Sequence, residues 1–545
     1  MREWFKKGEH WIWMSSAMVA LSVVLVFGLF SMITYKGLVH FWPHEVYEYQ
    51  LQNGKEIERV VGELRDSKMK EVSAGEGQAP QEIPQLLIKV GNRDLYGIDF
   101  RWLSSDELVS DEPKIAQDAV VIERYEYGNV YGWYQSLKVA DETFSGSDLQ
   151  AALAKQVAEG KRLHDEIKSI EKGDIGLINY KIEQLRLEEK RLQADGDWTD
   201  AKAQLMKDER AALDQQFREY QAQTQELYQL QKTLGELTMT VSGGQTLNVP
   251  VKNIVEYWQP NEMNLADKLG FFFHGIKRFL TEDPREANTE GGIFPAMIGT
   301  ITMVLIMTIL VTPMGVVAAV YMREYAKDGP VLRMVRISIN NLAGVPSIVF
   351  GIFGLGFFVY ILGGSIDELF YGYALPSPTF GTPGLLWASL TMALLTLPVV
   401  IVSTEEGLSR IPRALREGGL ALGATKIEVI SKIVLPMALP AIMTGLILAV
   451  ARAAGEVAPL MLVGVVKLAP ELPVDTIAPF VHLDRKFMHL GFHIYDVGFQ
   501  SPNVEASQPL VYATSLLLVL IIVGLNLGAI SIRNRLREKY KALDN

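Results

Sequence analysis

Residues 403–436 read STEEGLSRIPRALREGGLALGATKIEVISKIVLP and form a polar island between two long apolar runs. Two pairs in this stretch, Ser403 with Glu406 and Thr425 with Glu428, place a hydroxyl three residues before a carboxylate. That spacing is typical of a capping box, in which both side chains bond backbone N–H groups at a helix N-terminus. The stretch therefore predicts two helix starts.

The residues between these caps predict one short helix and a sharp turn. Pro412 suits the first turn of a helix, and Gly423 suits a left-handed stop at its C-terminus. Residues 413–422 are therefore expected to form a short helix that turns into a second one. Together they make a helix-turn-helix hairpin just outside a bilayer.

Composition points to a membrane protein with one large soluble insertion. The 545-residue chain is 49% hydrophobic, which is high for a soluble protein. Residues from about 40 to 290 are polar and charged, whereas the remainder is mostly long apolar runs. The net charge of −11 argues against a nucleic-acid partner. The absence of cysteine excludes disulfides, thiolate catalysis and thiolate metal sites.

The apolar runs predict an all-α polytopic domain of six transmembrane helices. The first run, about residues 11–33, follows Arg2, Lys6 and Lys7 and is long enough to cross a bilayer of about 30 Å. No small-residue cleavage site follows it, so we expect an uncleaved helix whose N-terminus is cytoplasmic. The five later runs cover about 293–321, 338–363, 384–402, 437–465 and 510–531.

Lysine and arginine predict the orientation of these spans. They are abundant after the second run, in the hairpin and at the C-terminus, whereas the loop at about 364–383 has none. Both termini and the hairpin are therefore expected in the cytoplasm, and the insertion outside. The basic residues are Arg323, Lys327, Arg333, Arg336, Arg410, Arg413, Arg416, Lys426, Lys432, Arg533, Arg535, Arg537, Lys539 and Lys541.

The insertion begins and ends with strand-like sequence. Short alternating runs in 40–141 and 238–258 predict β-strands, with hairpin turns at Asn53-Gly54 and Gly128-Asn129. A stretch at about 68–82, rich in Gly, Ser, Glu and Pro, predicts a mobile loop.

A highly charged helical region at 147–237 separates the two strand-rich parts. Two apolar stripes with three- and four-residue spacing lie on either side of a turn at 194–197. The spacing of the first stripe shifts near Gly173 to Gly176. The pattern predicts an antiparallel coiled-coil hairpin. Its role is open between a protein-contact arm and a solvated spacer. The stripes are Leu163, Ile167, Ile170, Ile178, Ile182, Leu185 and Leu192, and Leu213, Phe217, Tyr220, Thr224, Leu227, Leu234 and Leu237.

The sequence does not predict an enzyme. Residues 242–245, Ser-Gly-Gly-Gln, resemble the signature of an ABC ATPase, but the chain has no G-x4-G-K-[ST] phosphate loop, so we expect a hairpin turn there. No nucleophile, acid–base pair or metal constellation is apparent. His482, His489 and His493 share one loop, but no carboxylate pattern supports a metal site.

The hairpin resembles the EAA loop of ABC-importer permeases, on the pattern Glu417-Gly418-Gly419-x3-Gly423-x9-Ile433-x-Leu435-Pro436. The resemblance implies a surface helix that docks into a groove on an ATPase subunit. The family usually has two alanines where this chain has glycines, and two glycines cost a helix about 1–2 kcal/mol. The docking helix is therefore expected to be fully ordered only with its partner; the alternative is a membrane-surface hairpin without one. The implied coupling residues are Arg413, Arg416, Glu417, Gly418, Gly419, Gly423, Ile433, Leu435 and Pro436.

Residues 291–296, 341–351 and 452–459 are similar to the phosphate-specific permeases of the PstA type. The resemblance implies a multi-pass protein of the bacterial inner membrane that imports phosphate with a PstC-type permease, two PstB-type ATPases and a periplasmic PstS-type binding protein. ATP and magnesium would bind the ATPases, and this chain would carry no cofactor. The loop with Asp475, Arg485 and Lys486 would face the binding protein. The large insertion departs from the family.

Arg452 and Glu456 are the candidate residues of an anion path. They are one helical turn apart in the fifth run, and Arg452 lies about 22 Å from its cytoplasmic end. Ionisable groups at that depth usually face a partner or a water-filled path, and guanidinium can donate two parallel bonds to phosphate. Glu456 could hold the arginine and keep it from trapping the anion. The alternative is an ion pair that only fixes helix packing.

Two other functions are open. One is import of another oxyanion, such as sulfate or molybdate, and the other is a membrane-anchored sensor or scaffold acting through the coiled-coil arm. The predicted domains are an N-terminal span (1–38), a periplasmic domain (39–290), a permease domain (291–535) with its coupling loop (403–436), and a cytoplasmic tail (536–545).

Overall fold

The computed structural model describes residues 9–53, 56–72, 81–110, 113–501 and 504–541. The chain forms two compact units. The membrane unit comprises Met1–His40, Thr281–Asp283 and Ile293–Asn545, and the insertion unit comprises Phe41–Leu280 and Pro284–Gly292. The basic N-terminal residues Arg2, Lys6 and Lys7, the turn residue Gly54 and the centre of the predicted mobile loop lie outside the described residues.

Helices account for all of the long apolar segments. In chain order they are α1 (Glu9–Val39), α2 (Arg93–Tyr96), α3 (Ser147–Ser169), α4 (Gly176–Ala194), α5 (Asp200–Lys232), α6 (Leu265–Thr281), α7 (Phe294–Val320), α8 (Pro330–Leu342), α9 (Ser347–Phe353), α10 (Gly364–Phe370), α11 (Leu385–Ser409), α12 (Arg413–Ala421), α13 (Lys426–Val429), α14 (Leu435–Gly455), α15 (Ala458–Val463), α16 (Leu490–Phe499) and α17 (Val504–Lys541). Segments Ile170–Ile175, Tyr321–Tyr325, Gly354–Gly363 and Ile430–Val434 are π-helical.

The strands described here lie in the insertion unit and pair antiparallel with their neighbours. They are β1 (Val46–Asn53), β2 (Glu56–Val72), β3 (Gln81–Lys89), β4 (Phe100–Ser104), β5 (Lys114–Ile115), β6 (Val120–Arg124), β7 (Val130–Val139), β8 (Glu142–Phe144), β9 (Glu236–Thr240), β10 (Thr246–Pro250), β11 (Ile254–Trp258), β12 (Pro284–Arg285) and β13 (Glu290–Gly291). One sheet has the order β4-β3-β2-β1-β5, a second has β10-β9-β7-β6-β11 with β8 on β7, and β12 pairs with β13.

Among the described residues, six helical segments are long and apolar enough to cross a membrane. They are His10–Val39, Phe294–Tyr325, Ser347–Phe370, Leu385–Ser409, Lys426–Gly455 and Ser507–Arg535. Each of the six predicted runs overlaps one of these segments. Which side each loop faces stays a prediction.

Helix α11 lies at the centre of the membrane unit, between α7 and α14. Small residues allow the close contacts: a Cβ on Gly315 of α7 would lie 2.5 Å from Val400 Cγ1, and one on Gly445 of α14 would lie 2.7 Å from Ser403 Cβ. The capping box predicted for Ser403 is therefore wrong. Ser403 lies inside α11, which continues to Ser409 because this face packs against α14.

The third predicted run begins too early. Residues 330–342 form a separate amphipathic helix, α8, and the chain breaks before the span starts at Ser347. Pro346 disfavours helical geometry in the residue before it and lies at the start of the next helix, which accounts for the break. Within this span Gly351 and Gly354 permit close packing, whereas a Cβ on Gly356 would meet nothing within 4 Å.

Strands β1 to β7 and β9 to β11 lie in or overlap the parts of the sequence that predicted strands, whereas β8, β12 and β13 lie outside those parts. The turn at Gly128-Asn129 joins β6 to β7, and Gly128 has a φ of 68°. Residues 242–245 join β9 to β10, as expected of a hairpin turn. The mobile loop predicted at 68–82 is wrong at both ends, because β2 extends to Val72 and pairs with β3 from Gln81. Both faces of this part of the β2–β3 pair are exposed to solvent, so it tolerates polar residues. That polar composition is what suggested a loop.

Three helices fill the region predicted as a coiled-coil hairpin. Helix α3 packs its Leu149, Leu153 and Val157 with strand residues in one core. It continues into α4 through the π-helical segment 170–175, which accommodates the slip seen in the first stripe. The turn residue Gly196 has a φ of 76°, and α5 returns alongside, where Tyr228 donates to Glu171 at 2.8 Å. A supercoil of these helices stays a prediction.

The last helix does not end where the tail was predicted to begin. Helix α17 runs through Lys541, because its sequence after residue 535 contains no helix breaker. The candidate span within this helix ends at Arg535, so the helix continues into the tail predicted at 536–545, and residues 542–545 lie outside the described range.

Candidate functional site

The polar hairpin, residues 410–436, consists of α12, a turn, α13 and the start of the next span. Gly423 has a φ of 87°, the left-handed geometry that the sequence predicted for it. The capping box at Thr425 is confirmed: its Oγ1 accepts from the Glu428 backbone N–H at 3.4 Å, and Glu428 Oε2 accepts from the Thr425 N–H at 2.9 Å. Local sequence signals therefore define both the turn and the second helix.

The two glycines of α12 have opposite environments. Gly419 is buried, and a Cβ there would lie 2.9 Å from Val429 Cγ2 and 3.2 Å from Ile433 Cδ1. A Cβ on Gly418 would meet nothing within 4 Å. Gly419 therefore lets α12 pack closely against the following helix, whereas Gly418 carries no such constraint.

Arg416 fixes the hairpin to the rest of the membrane unit. Its guanidinium contacts Glu324 Oε1 at 2.9 Å and donates to the backbone carbonyls of Leu408 and Ile411, each at 2.7 Å. The side chains of Arg416 and Glu324 are only 18% and 10% exposed. The partners of Arg416 thus lie within the chain, and the arginine links the end of α11 to the end of the second span.

The other residues of the EAA-like pattern divide between surface and interior. Arg413, Glu417, Gly418 and Gly423 are exposed. Three residues are half-buried: Ile433, Leu435 and Pro436. The Ile433 side chain limits the space for a Cβ at Gly419. The pattern therefore combines an exposed part that a partner could reach with a part that holds the hairpin together.

Sequence reasoning missed the apolar residues that the hairpin exposes. Leu422 is 91% exposed and Ile427 is 67% exposed, and Leu415 and Leu420 are also exposed. Leucine and isoleucine flanking a left-handed glycine in a polar stretch are a signal that could have identified them. Several exposed apolar side chains within one short segment are typical of an interaction surface.

Arg452 and Glu456 come together, but not on one continuous helix. Helix α14 ends at Gly455, Glu456 is extended with φ −82° and ψ 139°, and a separate helix begins at Ala458. Arg452 Nε lies 3.6 Å from Glu456 Oε1, and the two side chains are 36% and 22% exposed. The fifth run predicted at 437–465 is therefore two helices, broken after Gly455 where Pro459 starts the next one.

The break brings two of the sequence stretches with family resemblance into contact. A Cβ on Gly351 would lie 2.6 Å from Pro459 Cα, so the start of the third span packs directly against α15. Irregular backbone next to apolar helices is tolerated in membranes where it is buried in protein or lines a water-filled cavity. A polar path at the charged pair beside this break stays a prediction.

Two of the three histidines that precede the last span, His482 and His489, have a local role. His482 Nε2 lies 2.9 Å from Asp475 Oδ1, and Arg485 also contacts that carboxylate. His489 is buried; burial lowers its pKa to about 3, and its Nδ1 accepts from the Gly491 N–H at 3.1 Å. Within the described residues, no group of three His, Asp or Glu side chains could hold a metal ion.

Comparison with known proteins assigns the chain to a family. A family model described as "Binding-protein-dependent transport system inner membrane component" matches residues 311–541. The phosphate transport system permease protein PstA of Mycobacterium leprae is 34% identical over 268 residues, which are 48% of this chain and 78% of that protein. The chain belongs to this family of transport permeases. A probable ABC transporter permease, YqgI of Bacillus subtilis, is 30% identical over 46% of this permease and 81% of its own length.

Solved structures similar to the permease include an inward-facing form of the MetNI methionine ABC transporter. It is 18% identical, covers 45% of this chain and 97% of that chain, and has a TM-score of 0.33. The family assignment rests on the sequence relatives. The family model begins at residue 311, so the insertion unit of this permease lies outside it.

Proposed function

We infer that this chain is the transmembrane permease subunit of an ATP-driven importer of inorganic phosphate. The observation that carries this conclusion is the 34% identity to a PstA phosphate permease over 78% of that protein's length. The chain contributes a translocation path rather than an enzyme active site.

Arg452 is the proposed contact for the anion. A guanidinium keeps its charge at any physiological pH and can bind two phosphate oxygens through parallel N–H bonds. Its ion-pair partner Glu456 is 3.6 Å away and 22% exposed, so an arriving anion could replace the carboxylate without breaking a tightly packed pair. Glu456 would then reclaim the arginine as the anion leaves.

The polar hairpin is the proposed docking element for an ATPase subunit. Leu415, Leu420, Leu422 and Ile427 would fill an apolar groove on that subunit, and Arg413 and Glu417 would make polar contacts at the rim. ATP and magnesium would bind the ATPase, and movement would enter this chain through α12. Arg416 would transmit it, because it ties the hairpin to the end of the second span.

The proposed assembly pairs this chain with a second permease of the PstC type, two ATPases of the PstB type and a PstS-type binding protein. The concentration of lysine and arginine in the hairpin and near the C-terminus supports a cytoplasmic position for both. The insertion unit and the loop containing Asp475, Arg485 and Lys486 would then face outward. In that loop Arg485 is held by Asp475 and Glu471, which leaves the exposed Lys486 as the more accessible cation.

Uptake by the reconstituted assembly tests the substrate. Proteoliposomes containing the permease, its partner subunits and the binding protein should accumulate radiolabelled phosphate only when ATP is enclosed with the ATPase subunits inside the vesicles. Excess unlabelled phosphate should compete, whereas sulfate and molybdate should not. Accumulation of sulfate or molybdate in place of phosphate would overturn the assignment.

A matched pair of leucine variants tests the docking surface. Leu422→Asp should release the ATPase during co-purification and abolish ATP-driven uptake, because it puts a carboxylate into an apolar contact. Leu205→Asp, at a leucine of α5 that is 67% exposed, should retain both. Retention of the ATPase by Leu422→Asp would exclude this part of the hairpin as the contact.

A further inference from the structure

Helix α6 is bound to the insertion unit along one face only. Arg278 contacts Glu123 at 2.9 Å, the Phe271 ring lies 4.8 Å from the Trp258 ring, and Phe279 is buried. These residues fix the helix against the end of the second sheet. The helix therefore presents its remaining faces outward from the unit in a defined orientation.

The opposite face exposes a continuous apolar stripe. Leu265, Leu269 and Phe273 follow a four-residue spacing, which places them on one side of the helix, and they are 68%, 42% and 65% exposed. The exposed Lys277 lies one turn further along at the edge of the stripe. A large apolar face flanked by lysine is the pattern of a helix that lies in a membrane interface.

Covalent continuity holds this helix near the bilayer. The first span ends at Val39, and Phe41, two residues later, has its Cα within about 8 Å of that end. The Phe41 ring packs 5.3 Å from the Phe279 ring and 6.4 Å from the Phe272 ring, and Trp42 lies 6.2 Å from Phe272. Helix α6 therefore packs against the residues that directly follow the first span. Aromatic rings are enriched at the interface between membrane and water.

We propose that α6 lies on the bilayer surface, with Leu265, Leu269 and Phe273 inserted at the boundary between lipid headgroups and acyl chains. Lys277 would reach the lipid phosphates, because lysine extends its ammonium toward the headgroups from a partly buried stem. The insertion unit would then be anchored directly to lipid through its own helix, in addition to its covalent links to the first and second spans.

The chain contains no cysteine, so single-cysteine variants can be labelled at one position each. Full-length permease carrying Leu269→Cys or Phe273→Cys would be labelled with bimane and placed in nanodiscs of phosphatidylethanolamine and phosphatidylglycerol. A fraction of the lipid carries a nitroxide near the headgroup end of its acyl chain. Leu205→Cys, at an exposed leucine of α5, is the matched control, and His274→Cys reports the other side of α6.

Lipid nitroxide should quench bimane at positions 269 and 273 severalfold more strongly than at 205, with weaker quenching at 274. Aqueous iodide should quench in the reverse order. Quenching at 269 and 273 no stronger than at 205 would overturn the proposal: strong iodide quenching there would show a water-facing helix, and weak iodide quenching would show a protein partner on the stripe. Equal lipid quenching at 273 and 274 would also contradict the proposed orientation.

Discussion

Arg416 and Arg452 each pair with a glutamate in the membrane unit, yet the two pairs are built differently. Arg416 contacts Glu324 at 2.9 Å and also binds two backbone carbonyls, and both charged side chains are largely buried. Arg452 lies 3.6 Å from Glu456 at a helix break, and its side chain is 36% exposed. The first arginine has most of its donors satisfied by the chain, whereas the second is placed where an anion could bind it.

The first arrangement suits an arginine that holds the hairpin in place, and the second suits an arginine that takes part in transport. A buried pair that loses one partner leaves an uncompensated charge, so its residues cannot change partners cheaply during a reaction cycle. The Arg452–Glu456 pair is longer and its side chains are more exposed, at 36% and 22%, so it contributes less to stability. We therefore expect substitutions at Arg416 to affect the fold of the hairpin, and substitutions at Arg452 to affect transport.

The largest effect is expected for Arg416→Gln. It leaves the Glu324 carboxylate buried without its arginine, which should destabilise the hairpin by about 3 kcal/mol. Amide hydrogen exchange across residues 413–429 should accelerate, and ATPase binding should weaken as a consequence. The double variant Arg416→Gln with Glu324→Gln should recover part of the loss, because no unpaired charge remains.

Unchanged hydrogen exchange in Arg416→Gln together with loss of ATPase binding would show that Arg416 does not hold the hairpin in place. Arg416 would then act by direct contact with the ATPase, as the resemblance to the EAA loop implied. The Glu324 variant provides the control, since a direct contact at Arg416 predicts no rescue by the double substitution.

How well each residue's role could be predicted depends on where its partners lie in the sequence. Gly423 and the Thr425–Glu428 box are local signals, and the structure has both as predicted. Ser403 and Glu406 have the same spacing, but contacts with α14, more than thirty residues away, keep that segment helical. Arg416 could not be assigned a partner because Glu324 lies 92 residues earlier in the chain.

The span boundaries show the same limit. Six apolar runs were sufficient to predict six candidate spans, because hydropathy sums over many residues. Hydropathy does not mark the breaks at Pro346 and after Gly455, which precede two helices, α9 and α15, that contact each other through Gly351 and Pro459. Proline marks both places in the sequence, but an apolar run containing proline can also continue as one helix, as α11 does through Pro398.

Arg452→Gln should have a smaller energetic effect, confined to transport. Hydrogen bonds to a charged group are worth about 1.5–3 kcal/mol, so phosphate uptake should fall by about tenfold or more. Thermal stability and ATPase binding should be unchanged, because the exposed pair contributes little to the fold. Arg452→Lys should restore part of the uptake, since it keeps the charge but loses the paired donors.

The matched control for Arg452 is Arg191→Gln, which removes a surface arginine of α4 paired with Glu188 and Asp195. Uptake by this variant should equal that of the unmodified assembly. Normal phosphate uptake by Arg452→Gln in an intact complex would make its pair with Glu456 a packing contact only. A loss of stability equal to that of Arg416→Gln would remove the distinction between the two pairs.

The smallest effects are expected at the two glycines of α12, and they test whether the hairpin is packed before its partner arrives. Gly418→Ala should stabilise α12 by about 0.5–1 kcal/mol, because its Cβ meets open space and alanine favours the helix. Gly419→Ala gains the same propensity but overpacks Val429 and Ile433, which costs about 1–3 kcal/mol. Amide exchange in residues 413–421 should therefore slow in the first variant and accelerate in the second. If both alanines slow exchange equally, the contact with Val429 is not formed in the isolated permease, and the hairpin becomes ordered only against the ATPase.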